Sequence, residues 1–277
     1  MALAPMLSLA AVALAATLCG PSPPSANVAG EVSIPLEPYA GRLVTVAVKV
    51  GPEQLRLLLD TGGGQTLVTP QAAKRLGCSR HGRSVGLRMT GERVEFQLCD
   101  AIPLEIGGRR LRASPMAIWD VMAALPKELP PLDGVLALDR LADQPFTLDL
   151  AGLTLTLESP TSLERRVVGM KRLEARAATG LSGADLTVFL HGSLGQPGWF
   201  LFDSGNLDLT QVAPHMLPSS GASPSSGVLT LDGLPSVEVA TRVREILYDG
   251  VLSESFLRGW VWTFRLATGE VWAAAAR

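Results

Sequence analysis

Two apolar runs in this chain end in the same three-residue pattern, and that repetition limits the folds open to it more than any other feature. Leu55-Arg-Leu-Leu-Leu-Asp60-Thr61-Gly62 has its counterpart in Trp199-Phe-Leu-Phe-Asp203-Ser204-Gly205. Each triplet leads into a strand-like or turn segment, residues 65–70 and 206–211, and then into a short helix-like stretch, 71–76 and 212–217. Further on, Asp133-Gly-Val-Leu is echoed by Asp249-Gly-Val-Leu. Both echoes lead to period-two segments folded about a glycine, residues 146–157 around Gly152 and 262–272 around Gly269. Alternation about such a turn is a hairpin pattern. Motifs that recur in one order mark an internal duplication. Asp133 follows Asp60 by 73 positions and Asp249 follows Asp203 by 46, so the first half carries an insertion or the second a deletion.

Most of the remainder reads as short strands. Residues 44–50 and 94–98 alternate, and 102–106 and 110–117 flank Gly107-Gly108 as a hairpin. Helix candidates are few: 117–125 and the segment around 241–246. Residues 158–185 lack strand rhythm and lie between the repeats, whereas 217–227, rich in Pro, Ser and Gly, reads as a mobile loop. The expectation is an all-β chain in two related lobes. Residues 1–29 form a leader, 30–160 the N-terminal lobe with the first Asp motif, 161–185 an inter-lobe linker, and 186–277 the C-terminal lobe with the second.

Two carboxylates brought close cannot both stay ionised, because like charges in a site of low dielectric repel. Such a pair shares one proton. One member takes a proton from water while the other gives one to a substrate carbonyl, which is acid/base hydrolysis without a covalent intermediate. The surroundings of Asp60 and Asp203 suit this task. Each follows an apolar strand that carries its carboxylate towards a core. Gly62 and Gly205 let the backbone turn where a side chain would obstruct the partner loop. Thr61 and Ser204 offer hydroxyls to brace one loop against the other.

On these two triplets, and on Val135-Leu136-Ala137 and Val251-Leu252-Ser253 as the elements that back them, the chain resembles the pepsin and retropepsin superfamily of aspartic proteases. The likeness runs from about Glu31 to the C-terminus. It is similar to the bacterial retropepsin-like branch in its short strands and its Asp249-Gly-Val-Leu to Phe256-Leu257 ending, and to the pepsin type in carrying both Asp motifs on one chain. The resemblance implies a bilobal acid-protease fold, two related β-barrel lobes with a central cleft. It implies an aspartic-type endopeptidase acting on an extended peptide or protein substrate, monomeric and without metal or other cofactor. The sequence departs from the family pattern at Gly63 and Asn206, where a hydroxyl usually follows the triplet, and at Ala137 and Ser253, where a glycine is usual. Losing a donor to the ionised carboxylate raises its pKa, so a higher pH optimum is expected. These departures also keep open an alternative, a catalytically inactive aspartic-protease-like peptide-binding protein. The family's flap tyrosine is absent, Tyr39 and Tyr248 falling outside the expected hairpin. Residues 85–93 are the flap candidate, with Leu87, Arg88, Met89 and Thr90 towards its tip; the same residues also fit an ordinary surface hairpin.

Composition excludes other classes. Charged residues are 18% of the chain and the net charge is −2, so no basic patch is present to meet nucleic acid. Residues 7–18 are apolar but too short to span a bilayer comfortably, and read as the core of a signal peptide for export to the periplasm, envelope or medium. Cys19 raises a lipid anchor, against which bulky Leu18 argues. Cys78 and Cys99 are either two buried thiols or a disulfide, favoured by their placement in one short segment and by an oxidising destination. His81, His191 and His215 are scattered, without zinc spacing. Gly62-Gly63-Gly64 lacks the Lys-Ser/Thr of a phosphate-binding loop, and Asp203, Asn206 and Asp208 lack the glutamate of a calcium loop.

Overall fold

A computed structural model describes residues 30–180, 183–217 and 225–277. The expected leader with Cys19, and residues 218–224 of the Pro/Ser/Gly loop, lie outside the described residues. The chain is nearly all β, arranged in three sheets.

The first half builds a ten-stranded sheet. Its central strands follow the order Arg93–Ala101, Pro115–Ile118, Leu67–Val68, Gly134–Leu136, Glu53–Leu59, Leu43–Val50. In the second half, Ser226–Leu231, Val237–Val243, Thr210–Val212, Gly250–Val251, Gln196–Leu201 and Thr187–Leu194 follow the same order. The strand senses match as well: Glu53–Leu59 and Gln196–Leu201 each run parallel to the strand that backs them. The duplication read in the sequence is thus a duplication of topology. In the second half, Thr187–Leu194 also pairs with Ser226–Leu231, which closes six strands into a barrel. The longer first half is accounted for by strand Arg80–Leu87 with its turn and by the hairpin Glu105–Ile106/Arg109–Arg110.

The local pattern explains the strands. In Leu43–Val50 the side chains of Val44, Val46, Val48 and Val50 are buried while Ala47 and Lys49 face solvent, the alternation of a half-buried strand. Leu55, Leu57 and Leu59 belong, with Val46, Val48, Ile106 and Met116, to the main buried core. Full burial of each such leucine stabilises the fold by about 1.5–3 kcal/mol.

The third sheet is shared. Its six strands follow the order Val32–Pro35, Thr154–Leu157, Phe146–Asp149, Trp260–Arg265, Glu270–Ala275, Lys171–Leu173. The two glycine hairpins noted in the sequence meet here, Phe146 opposite Phe264 and Leu148 opposite Trp262. The Phe146 and Phe264 rings stack at 4.7 Å, and Phe202, next to Asp203, packs edge-on to Trp262 and Phe264. The shared sheet therefore forms the base on which the second Asp strand rests.

Several local readings need correction. Residues 117–125 are not a helix: Ala117 and Ile118 pair with Leu67 and Val68, and only Val121–Ala124 makes a 3-10 turn. Residues 241–243 continue a strand, Thr241 pairing with Thr210. In both, long-range pairing overrides local preference. The stretch 161–185 carries most of helix Pro160–Arg166, capped by Ser159, then strand Lys171–Leu173 in the shared sheet and Ala175–Ala178 in the second-half sheet. The 102–117 hairpin is shorter than read, with Gly107 and Gly108 at its turn. Cys78 and Cys99 form a disulfide with their Cα atoms 5.6 Å apart. No helix among the described residues is long and apolar enough to cross a membrane.

Candidate active site

Asp60 and Asp203 stand at the ends of equivalent strands. The backbone N–H of Asp60 donates to Leu136 O at 3.0 Å, and Leu252 N donates to Leu201 O at 2.9 Å, so each Asp loop is laid against its backing strand. The Asp-Gly-Val-Leu motifs have a local task too. Asp133 Oδ2 accepts Arg56 N at 2.9 Å, and Asp249 Oδ2 accepts Trp199 N at 2.7 Å. Asp133 also pairs with the Arg75 guanidinium, and Asp249 Oδ1 hydrogen-bonds His215 Nε2 at 2.9 Å.

The two loops grip each other through their hydroxyls. Thr61 N donates to Ser204 Oγ at 3.1 Å, and Ser204 N donates to Thr61 Oγ1 at 2.9 Å. The hydroxyls pass the bonds on, Thr61 Oγ1 donating to Phe202 O and Ser204 Oγ to Leu59 O, each at 3.0 Å. All four bonds are buried, where an unmade one would cost about 1–3 kcal/mol. The triplet glycines are reciprocal as well. A Cβ on Gly62 would lie 2.3 Å from Asp203 Cγ, and one on Gly205 would lie 2.7 Å from Asp60 Cγ. Only glycine lets each loop lie so close to the other's carboxylate.

Within this frame the two carboxyl groups hydrogen-bond to each other. Burial raises the pKa of Asp60, against the pull of hydrogen bonds from Asp203 and from the N–H groups of Gly62 and Gly63. Burial, and then the negative charge of Asp60, holds Asp203 well above the usual carboxylate range, against the N–H groups of Gly205 and Asn206. Both carboxyls are thus raised, and the pair favours holding one proton between its members over carrying two full charges. The expected rise in pKa is present, but burial is its first cause.

The departures from the family pattern have local explanations. Asn206 turns its side chain away from Asp203: Nδ2 donates to Leu252 O, and Oδ1 accepts from Asp208 N and Gln211 Nε2. Its backbone N–H still serves Asp203, as that of Gly63 serves Asp60. Ser253 caps the short helix Glu254–Leu257 and accepts from Thr210 Oγ1. Ala137 is buried, and its N–H donates to Thr66 Oγ1.

A cleft of about 740 Å³ opens over the dyad. Its roof is the hairpin of Arg80–Leu87 and Arg93–Ala101, so Leu87, Arg88, Met89 and Thr90 all line the cleft. The hairpin tip reaches across: Leu247 N donates to Met89 O at 2.8 Å, and Met89 packs against a cluster that includes Phe189 and Tyr248. The Arg88 guanidinium lies over the Trp119 ring at 5.5 Å. Residues passed over in the sequence thus enter the site, above all Tyr248. Its place immediately before the repeated Asp249-Gly-Val-Leu was the signal that could have found it. Besides Asp60 and Asp203, the cleft is lined by the acids Glu92 and Asp185. Apart from it, Glu174, His191 and Asp232 bring three ligand-type atoms within 4.8 Å, held as a His–Asp pair at 2.6 Å.

Sheet order, duplicated Asp loops and shared sheet together make this a pepsin-like, acid-protease fold. Among solved structures it is similar to basic 7S globulin from soybean, with a TM-score of 0.57 and 11% identity over 88% of this chain and 96% of that one. It is equally similar to conglutin gamma, a basic 7S globulin from lupine seeds, with a TM-score of 0.57 and 11% identity over 89% and 95% of the two chains. No family model and no curated protein matches the chain.

Proposed function

We propose that this chain is an aspartic-type endopeptidase of retropepsin-like character. The observation that carries the reading is the hydrogen-bonded pair Asp60 and Asp203, braced by reciprocal Thr61–Ser204 bonds at the base of a roofed cleft. An extended peptide lies in the cleft. Asp60, ionised, takes a proton from a water whose oxygen attacks the scissile carbonyl carbon. Asp203 gives its proton to the carbonyl oxygen. Return of a proton to the amide nitrogen then releases the two products. One chain supplies both acids, so a monomer suffices. The hairpin bearing Leu87 to Thr90 acts as the flap. The Cys78–Cys99 disulfide supports an oxidising, exported setting.

A second reading is an aspartic-protease-like protein that holds a peptide without cutting it. The comparisons favour it, since both solved structures of this fold named above are seed globulins. One experiment separates the two. A denatured protein mixture is incubated from pH 3 to 8 with wild type, Asp60→Asn and Asp203→Asn. Cleavage by wild type alone supports the peptidase. A folded wild type that cuts nothing at any pH leaves the binding protein.

A further inference from the structure

We infer that Tyr248 is a substrate-binding residue, its phenol O–H donating a hydrogen bond to the backbone of a peptide held in the cleft; this rests on the cleft being a peptide site, whether or not it cuts.

The two tyrosines of the chain are treated differently by the fold. Tyr39 is buried, and its hydroxyl donates to Pro130 O at 2.9 Å. Tyr248 is half-buried and lines the same cleft as Asp60 and Asp203. Its hydroxyl has no hydrogen-bond partner among the described residues, although the ring is fixed. Phe189 holds the ring edge-on at 5.1 Å, and Met89 of the hairpin tip packs on the same cluster. The neighbouring Leu247 N–H is tied to Met89 O. A tyrosine so placed has a ring fixed by packing and a hydroxyl left uncommitted on the cleft wall.

The electrostatics give that end a direction. Burial, and then the negative charges of Asp185 and Asp203, raise the phenol's pKa. The hydroxyl therefore stays protonated and acts as a donor. Peptide carbonyls are the acceptors that an extended substrate presents along its length. Met89, Phe189 and Leu201 give the cleft an apolar wall beside Tyr248, and Arg176, Asp185 and Arg244 line it as well, so the phenol stands where apolar and polar parts of the lining meet.

The test is a binding measurement that needs no cleavage. The probe is a fluorescein-labelled hexapeptide whose two central leucines are joined by a hydroxyethylene group, chosen to match the apolar walls. Binding is followed by fluorescence anisotropy with wild type, Tyr248→Phe and Tyr248→Ala, each checked for folding by its thermal transition. Tyr248→Phe keeps the ring and its packing and removes only the donor. Its Kd should rise roughly fivefold to tenfold, the loss expected of one buried hydrogen bond. Tyr248→Ala should lose more. A Tyr248→Phe variant within twofold of wild type overturns the inference, and so does a wild type that does not bind the probe. If the probe binds through Tyr248 while unmodified peptides are never cut, the inference stands and the peptidase reading falls.

Discussion

Thr61 and Ser204 each accept the other's backbone N–H, at 2.9 and 3.1 Å, across 143 positions of sequence. The two bonds are equivalent under the internal repeat, and each hydroxyl also donates to a carbonyl of the opposite strand. Removing one hydroxyl therefore orphans groups on both loops. Thr61→Val and Ser204→Ala should each lower stability by about 1–3 kcal/mol. The double variant should lose less than the sum of the two, because the groups share partners. Urea unfolding of the four proteins measures this, and strict additivity would count against a single coupled grip.

The reciprocal glycines predict an asymmetry among neighbouring substitutions. Gly62→Ala and Gly205→Ala put a methyl within 2.3 and 2.7 Å of the opposite carboxyl carbon. Such overpacking costs about 1–3 kcal/mol. Displacement of the dyad by about an ångström would lower any activity roughly 100-fold. Gly63→Ala, whose methyl would lie 3.2 Å from Asp60 Oδ2, should be milder, and Gly30→Ala, with open space around it, should be silent. Assays and melting curves of the four rank them.

The dyad sets the pH profile of any hydrolysis. The active form carries one proton on the pair, so activity falls when the pair gains a second proton and when it loses the one it holds. Both groups are raised, first by burial, and both limbs of the bell therefore move to higher pH. kcat/KM measured across the acid range should peak above about pH 4, near or beyond the ordinary carboxylate pKa. A maximum well below that value contradicts the electrostatics described above.

Asp139 offers a separate signature in stability. Burial raises its pKa to about 6, against Arg140 and the Thr66 hydrogen bonds. A carboxyl raised on folding favours the native state fully below its unfolded pKa, and that advantage is lost as pH rises through the folded value. Between about pH 4 and 6, wild type should lose stability relative to Asp139→Asn, by an amount of order 2 kcal/mol. Parallel urea titrations at several pH values read the difference. Curves that keep the same separation throughout would exclude a titrating Asp139.

Among the described residues, the tip of the hairpin roof is tied to the second half by the backbone bond from Leu247 N–H to Met89 O. Leu247→Pro removes it. Amide exchange at residues 88–92 should quicken, and KM for a peptide should rise more than kcat falls. Unchanged exchange at the tip would mean that side-chain packing alone holds the roof down.

The dyad was legible in the sequence because its requirements are local. A buried acid, a hydroxyl and a glycine must be consecutive for the grip and the close approach to form, so Asp60-Thr61-Gly62 and Asp203-Ser204-Gly205 appear as strings. The roof was legible in part, since alternation and glycines marked residues 85–93. Tyr248 was marked only by its place before the repeated Asp249-Gly-Val-Leu, because its position beside Phe189 and Met89 is brought about by chain folding alone. The shared sheet was hidden for the same reason. Residues 146–157 and 262–272 each announced a hairpin, but nothing local says that Phe146 lies opposite Phe264. Ala117 was misread as helical because alanine favours helices, while its partner Leu67 lies 50 positions away.

The shared sheet also puts a clock on the protein's birth. Its strands Trp260–Arg265 and Glu270–Ala275 sit between Phe146–Asp149 and Lys171–Leu173. A ribosome delivers those two strands long after the first Asp loop has emerged. Until then Phe202 lacks the Trp262 and Phe264 rings that steady the second Asp loop. A nascent chain at that stage would thus carry both Asp loops before the sheet beneath the second one is complete.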